Sequence, residues 1–103
     1  MAQPVEIVSA AGGFTQTDKT IASATGSSQV LMAANPARRS ILIKNGAANA
    51  GINLAGGTAA IGGAGTITLA PYEGMYLDGG ACPLGAITAI TTAAAYISAI
   101  EYT

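Results

Sequence analysis

The stretch NPARRSILIKNG, residues 35–46, decides the fold because it places an apolar run between two turn signals. The run RSILIK, residues 39–44, is rich in Ile and Leu, a composition that favours a β-strand. The Asn-Pro dipeptide at 35–36 predicts a type I turn, since Pro fixes φ at the second position of such a turn. The Asn-Gly dipeptide at 45–46 predicts a type I′ hairpin turn, since both residues tolerate positive φ.

Turn residues recur at short intervals through the rest of the chain and separate further apolar runs. This rhythm is typical of short antiparallel strands. Strands are expected at 17–24, 29–33, 39–44, 50–55, 66–69, 73–77, 86–92 and 95–102. The turn signals predict hairpins of 29–34 with 39–44, of 39–44 with the strand carrying Ile52, and of the last two strands. The sequence therefore predicts an all-β fold, a small antiparallel β-sandwich or barrel of about 7–9 short strands.

The final twenty residues allow a second interpretation. Ile87, Ile90, Ala94 and Ile97 are spaced as on one face of a helix. However, Thr and Ile are poor helix formers, and no charged residue marks an outer helical face. Strands are therefore favoured here.

The chain of 103 residues is too short for two ordinary domains. We expect a single β domain at 17–103, preceded by an N-terminal arm at 1–16. Two interpretations of the arm stay open. It is either a frayed terminus or an extended segment that anchors on a neighbouring molecule through Phe14, the single Phe of the chain.

Composition excludes several classes of function. Four basic residues and a net charge of −1 give no electrostatic footprint for nucleic acid. The chain has no His to activate a nucleophile, and the single Cys82 is expected to be a small buried side chain. No paired carboxylates, metal ligands or phosphate loop are recognisable, and the glycine-rich segment 56–65 is expected to be a flexible loop between strands. We therefore expect no enzyme, no catalytic residue, no metal and no cofactor.

Two uncharged stretches are candidate membrane spans, at 45–72 and 79–100. Gly and Asn interrupt the first stretch. Pro83, Gly85 and several Thr interrupt the second, and no Lys or Arg follows it. No membrane partner is expected.

Large apolar side chains are scarce, with one Phe, three Met and no Trp against 14 Gly. Ala and Gly bury little apolar area, and Gly loses the most backbone entropy on folding. An isolated monomer is therefore marginal. The composition favours a chain that completes its packing against copies of itself or a larger surface.

Two sets of residues are candidates for such a contact. The basic residues Arg38, Arg39 and Lys44 cluster around one predicted hairpin, where they either dock on an acidic partner or serve as solubilising charge. The tyrosines either form a contact patch or pack into the core with their hydroxyls at the surface. The candidate interface comprises Phe14, Arg38, Arg39, Lys44, Tyr72, Tyr76, Tyr96 and Tyr102.

The segment from Ser27 to Asn45 resembles a pattern found in small Ala/Gly/Thr-rich virion proteins of tailed bacteriophages. That pattern runs S-x-x-L-x-A-x-N-P-x-R into an apolar strand ending in Asn. Here it corresponds to SSQVLMAANPARRSILIKN, and the later LAPYEG, residues 69–74, is similar to the L-x-P-x-E turn of such proteins. The resemblance covers roughly residues 25–102.

The resemblance implies a β-sandwich or barrel that acts as a capsid decoration (cement) protein. Such a protein is made in the host cytoplasm and is carried on the capsid surface of the virion, where it binds the major capsid protein and stabilises the shell. Since capsid junctions offer three-fold sites, we expect a homotrimer. The alternative is a head-fibre or tail-tip structural module that binds a receptor or glycan, with the tyrosines stacking on sugar rings.

Overall fold

The computed structural model describes residues 14–103, which form β-strands and one 3₁₀ turn, Gly79–Ala81. The all-β prediction is confirmed for this part of the chain. The strands are β1 Gln16–Asp18, β2 Gln29–Met32, β3 Ser40–Asn45, β4 Ala50–Asn53, β5 Thr66–Leu69, β6 Gly74–Asp78, β7 Ile87–Thr91 and β8 Ile97–Tyr102.

The strands form two four-stranded antiparallel sheets. Sheet I has the order β1-β8-β3-β6, and sheet II has the order β2-β7-β4-β5. The two inner faces enclose one core, so the fold is a β-sandwich. The core cluster contains Leu31, Met32, Ile41, Ile43, Ala50, Ile52, Leu69, Cys82, Ile87, Ala89, Ile97 and Ala99.

Alternation along the strands of sheet I sets which side chains enter the core. In β3, Ile41 and Ile43 are fully buried, while Leu42 and Lys44, which alternate with them, are exposed. In β6, Tyr76 points outward between two half-buried neighbours. Sheet I therefore has one buried face and one exposed face.

The predicted hairpin of 29–34 with 39–44 is wrong, although its turn exists. The N–H of Arg38 donates to the carbonyl of Asn35 over 3.1 Å, as a type I turn requires. Beyond the turn, however, β2 pairs with β7 of sheet II, and β3 pairs with β8 and β6 of sheet I. The connection therefore passes from sheet II to sheet I. A type I turn is compatible with a hairpin and with a change of sheet, so the long-range strand partners decide which of the two forms.

The predicted Asn45-Gly46 hairpin is also wrong. The Asn45 side chain is buried, and its amide donates to the carbonyls of Ala48, Leu69 and Ala70. Gly46 is not among the glycines with positive φ, which a type I′ turn requires. The chain therefore crosses from sheet I to sheet II at this point.

The last two strands are also separated, since β7 lies in sheet II and β8 in sheet I. Both segments are strands, so the preference for strand over helix is confirmed and the predicted third hairpin is wrong. The hairpin that does form joins β4 to β5 across the glycine-rich residues 54–65.

The glycine-rich loop at residues 54–65 lies over the outer face of sheet II. The Asn53 side-chain oxygen accepts hydrogen bonds from the N–H groups of Ala55 and Gly57, at 2.9 and 3.3 Å. The Thr88 hydroxyl donates to the carbonyl of Gly57 over 2.6 Å. Gly51 lies beneath the loop, where an added Cβ would stand 3.4 Å from the carbonyl oxygen of Ala60. The loop thus covers this face around β4 and β7, and Asn53 is buried under it.

The sheet also includes residues that the sequence assigned to the arm. β1 begins at Gln16, and Thr15 exchanges two backbone hydrogen bonds with Thr103. The rest of the predicted arm, residues 1–13, lies outside the described residues.

The crossing at Gly46 yields a prediction. A Cβ added at Gly46 would stand 2.6 Å from the carbonyl oxygen of Tyr96, which is backbone and cannot rotate away. We expect Gly46→Ala to lower the free energy of unfolding by about 1–3 kcal/mol. Gly80→Ala is the matched control, since an added Cβ there meets nothing within 4 Å, and it should change stability by less than about 0.5 kcal/mol. Urea unfolding measures both, and equal stability of the two variants would contradict the packing at Gly46.

Candidate functional site

The outer face of sheet I is the main candidate for a contact surface. Its outward side chains come from all four strands in register, and within residues 14–103 most of them are exposed. We call this set the exposed face; it comprises Gln16, Asp18, Ser40, Leu42, Lys44, Gly74, Tyr76, Asp78, Ser98, Ile100 and Tyr102. The outer face of sheet II differs, because the glycine-rich loop lies over it.

The centre of the exposed face is apolar. Ile100, Leu42 and Tyr76 lie side by side on β8, β3 and β6, with 38% of Leu42 and 55% of Tyr76 exposed. Singly exposed apolar residues are common on any protein, whereas adjacent ones mark a contact surface. The face therefore carries an apolar stripe across three strands.

An aromatic and basic group lies at one end of this face. The rings of Tyr76 and Tyr102 meet edge to face with their centroids 6.4 Å apart. The Arg39 guanidinium lies 5.0 Å from the centre of the Phe14 ring. Such contacts fix the orientation of exposed side chains. Phe14 thus rests on its own domain, and the structure brings together four of the predicted interface residues.

Two grooves follow the exposed face. One, of about 550 Å³, is lined by Leu42 and Ile100 together with Asp18 and Lys44. The other, of about 720 Å³, is lined by Phe14, Arg39, Tyr76 and Asp78 among others. Each groove therefore combines apolar side chains with one exposed acid and one exposed base.

The acid of the first groove is held in its charged form. Hydrogen bonds from the hydroxyl and the N–H of Thr20 lower the pKa of Asp18, and the N–H lies 2.9 Å from Asp18 Oδ1. Asp18 is therefore ionised at neutral pH, opposite in sign to Lys44 across the groove.

Arg38, predicted as an interface residue, is placed inside the domain. Its side chain is 0% exposed, and its Nε donates to Glu101 Oε2 over 2.8 Å. Its other nitrogens donate to the carbonyls of Ala33, Pro83 and Gly85. Arg38 thus ties the β2–β3 connection and the loop before β7 to β8. The sequence missed this because a buried arginine with a distant partner leaves no local signal.

Glu101 and Cys82 belong to the same interior region. Glu101 is 3% exposed and also accepts a hydrogen bond from the Asn35 amide. Cys82 is buried in the core cluster, as predicted, and its burial raises the pKa of its thiol.

Tyr72 and Tyr96 form a second exposed site, the tyrosine end. Tyr72 is 67% exposed and Tyr96 is 64% exposed. Both flank Gly46, whose carbonyl accepts the N–H of Tyr72 over 2.9 Å and whose Cα faces the Tyr96 carbonyl. The tyrosine end is thus separate from the aromatic group around Tyr76.

The backbone at Tyr72 is strained. Its φ is +63°, and it is the only non-glycine residue with positive φ among residues 14–103. Pro71 precedes it and the N–H of Glu73 donates to the carbonyl of Ala70, so the turn is of type II, which normally takes Gly at this position. A left-handed conformation costs about 1–2 kcal/mol in a residue with a Cβ. The domain therefore bears strain to present an exposed ring.

Comparisons of the chain with protein-family models, with curated proteins and with solved structures found no match. No helix within residues 14–103 is long and apolar enough to cross a bilayer.

The interior ion pair yields a prediction. Arg38→Met leaves Glu101 as a buried charge without its partner, and we expect a loss of about 3–5 kcal/mol in the free energy of unfolding. Arg38→Met/Glu101→Leu should lose about 0.5–3 kcal/mol less than the sum of the single variants. The control, Arg39→Met on the exposed neighbour, should cost less than about 0.5 kcal/mol. Simple additivity in urea unfolding would show that the two side chains do not interact.

The strain at Tyr72 yields a second prediction. Tyr72→Gly should raise the free energy of unfolding by about 0.5–1 kcal/mol, because Gly adopts positive φ without a steric cost. Tyr72→Ala is the matched control, since it removes the ring but keeps the Cβ, and it should bring no such gain. Thermal unfolding distinguishes the two, and a destabilised Tyr72→Gly protein would mean that the ring supports the fold.

Proposed function

We propose that this chain is a bacteriophage capsid decoration protein, which binds the outer shell as a homo-oligomer and stabilises it. Its partners are the major capsid protein and further copies of itself. Its action is mechanical: each bound subunit adds buried interface that must be broken before the shell comes apart.

The observation that carries this proposal is the unequal covering of the two sheets. The glycine-rich loop covers the outer face of sheet II around β4 and β7 and leaves Val30 on β2 exposed, while sheet I presents Leu42 and Tyr76 with the half-buried Ile100 in one stripe. A sandwich of this size gains stability by burying such a stripe against a neighbour. This supports a subunit that works in an assembly.

The tyrosine end supports a second contact surface, and we propose that this surface binds the shell. Tyr72 is held out of the domain at a cost in backbone strain, beside the exposed Tyr96. Backbone strain that the fold does not need tends to occur at functional positions. Tyrosine also adds large contact area with little loss of side-chain entropy, which suits a site that must bind many equivalent positions.

The tyrosine end also favours the second candidate, a glycan-binding module of a head fibre or tail tip. Exposed tyrosine rings stack on sugars as readily as on protein. The charged groups of the exposed face contribute nothing to this alternative. The two candidates therefore differ in ligand and share Tyr72 and Tyr96.

Co-sedimentation with undecorated capsids tests the proposal. The wild-type protein should bind capsids and raise the temperature at which they disrupt. Tyr72→Gly, with its fold intact, should bind at least about tenfold more weakly, as expected for the loss of a central aromatic contact. Ile61→Ser is the matched control, since Ile61 is 41% exposed on the loop over sheet II, and its binding should equal that of the wild type.

A glycan array carried out with the same three proteins separates the candidates. Binding to the array by the wild type, lost in Tyr72→Gly and accompanied by no affinity for capsids, would replace decoration with the glycan-binding function. Affinity for neither capsids nor glycans would overturn both.

A further inference from the structure

Together with Arg39, which lines the second groove at its end, the exposed face carries two acids and two bases around its apolar centre. Asp18 and Lys44 line the first groove, and Asp78 and Arg39 line the second. None of the four forms an ion pair within residues 14–103, where the single ion pair is Arg38–Glu101. The face therefore offers two charges of each sign to a partner.

This balance identifies the chemistry of the partner. A strongly acidic or basic surface would gain from one pair of these charges and lose as much from the other. The surface that matches two acids and two bases must itself carry both signs in a fitting arrangement. A second copy of the same face meets this condition by its composition alone.

The arrangement of the charges also fits a two-fold contact. In sheet I, Asp18 is level with Leu42, which lies two strands away, and Lys44 follows Leu42 by two residues. Asp78 is paired with Ser40 on the neighbouring strand, and Arg39 precedes Ser40 by one residue. The two acid–base lines therefore run along the same diagonal. An axis in the plane of the face, passing between Leu42 and Ile100, exchanges the members of both pairs at once.

We propose that the exposed face of sheet I pairs with the same face of a second copy across a two-fold axis. In this pair Asp18 meets Lys44 of the other copy, Asp78 meets Arg39, and the Leu42–Ile100 stripes cover each other. The proposal rests on the proposed function in assigning this face to self-association rather than to the shell. It describes the free protein, and the homotrimer expected from the sequence remains a prediction for the shell-bound form.

The contact is small, because four short strands supply it. Interfaces of limited area are generally weak or transient. Self-association is therefore expected at high protein concentration, and it should weaken with added salt because four exposed ion pairs are screened.

Sedimentation velocity over a micromolar to millimolar concentration series is the first test. The wild type should pass from monomer to dimer. Leu42→Ser, which breaks the apolar stripe, should weaken dimerisation by about tenfold. A wild type that stays monomeric throughout, or that forms trimers without dimers, would overturn the proposal.

A charge exchange is the sharper test. In a pair of Lys44→Asp copies, each new acid faces the Asp18 carboxylate of the other copy. In a pair of Asp18→Lys copies, each new base faces the Lys44 ammonium of the other copy. Each variant alone should therefore be monomeric, because like charges meet at two contacts.

Mixing the two variants in equal amounts supplies the matched comparison. The mixture restores both opposite-charge contacts and should form a heterodimer, and this recovery also shows that both variants are folded. The control variants, Thr58→Asp and Thr58→Lys on the loop over sheet II, should dimerise as the wild type does. A mixture that stays monomeric while the wild type dimerises would overturn the charge pairing.

Several outcomes separate this proposal from the proposed function. One outcome is that the charge variants lose and regain dimerisation as expected while the wild type binds no capsid. This outcome would support the self-contact and rule out the decoration role. Capsid binding by a strict monomer, lost in Lys44→Asp, would assign the exposed face to the shell and overturn the self-contact. Homodimers of Lys44→Asp as tight as those of the wild type would likewise overturn it.

Discussion

The hydrogen bonds that hold the glycine-rich loop against sheet II are the contact on which the other features depend. Asn53 and Thr88 bind the loop from two neighbouring strands, and Gly51 leaves room for it. The loop thus covers the outer face of sheet II around β4 and β7. Sheet I has no such cover within residues 14–103. The outer face of sheet I is thus left exposed in the isolated domain.

The buried Arg38 side chain links segments of the two sheets. A buried arginine is tolerated only where its charge is paired and its donors are satisfied, and Glu101 with three carbonyls meets that requirement. The N-P-x-R pattern, which suggested a surface contact, therefore contains the residue that joins both sheets. Arg39, its neighbour, lies against Phe14 at the surface. Two adjacent arginines thus have opposite roles.

The strands could be predicted from sequence because alternation and turn residues are local. The pairing partners of the strands could not be predicted, because the local sequence at Asn35 and at Gly46 fits a hairpin and a change of sheet equally well. The apolar run of β3 concealed which of Ile41, Leu42 and Ile43 is exposed. The inward role of Arg38 depends on Glu101, which is 63 residues away.

We propose that the exposed face of sheet I becomes covered when the protein assembles. Oxidative footprinting of single side chains measures this directly, in dilute protein, in concentrated protein and on the assembled particle. Leu42 and Tyr76 should lose reactivity as the assembly forms, while Ile61 on the loop over sheet II should keep its reactivity. Equal reactivity of Leu42 and Tyr76 in the dilute protein and in the assembly would contradict it.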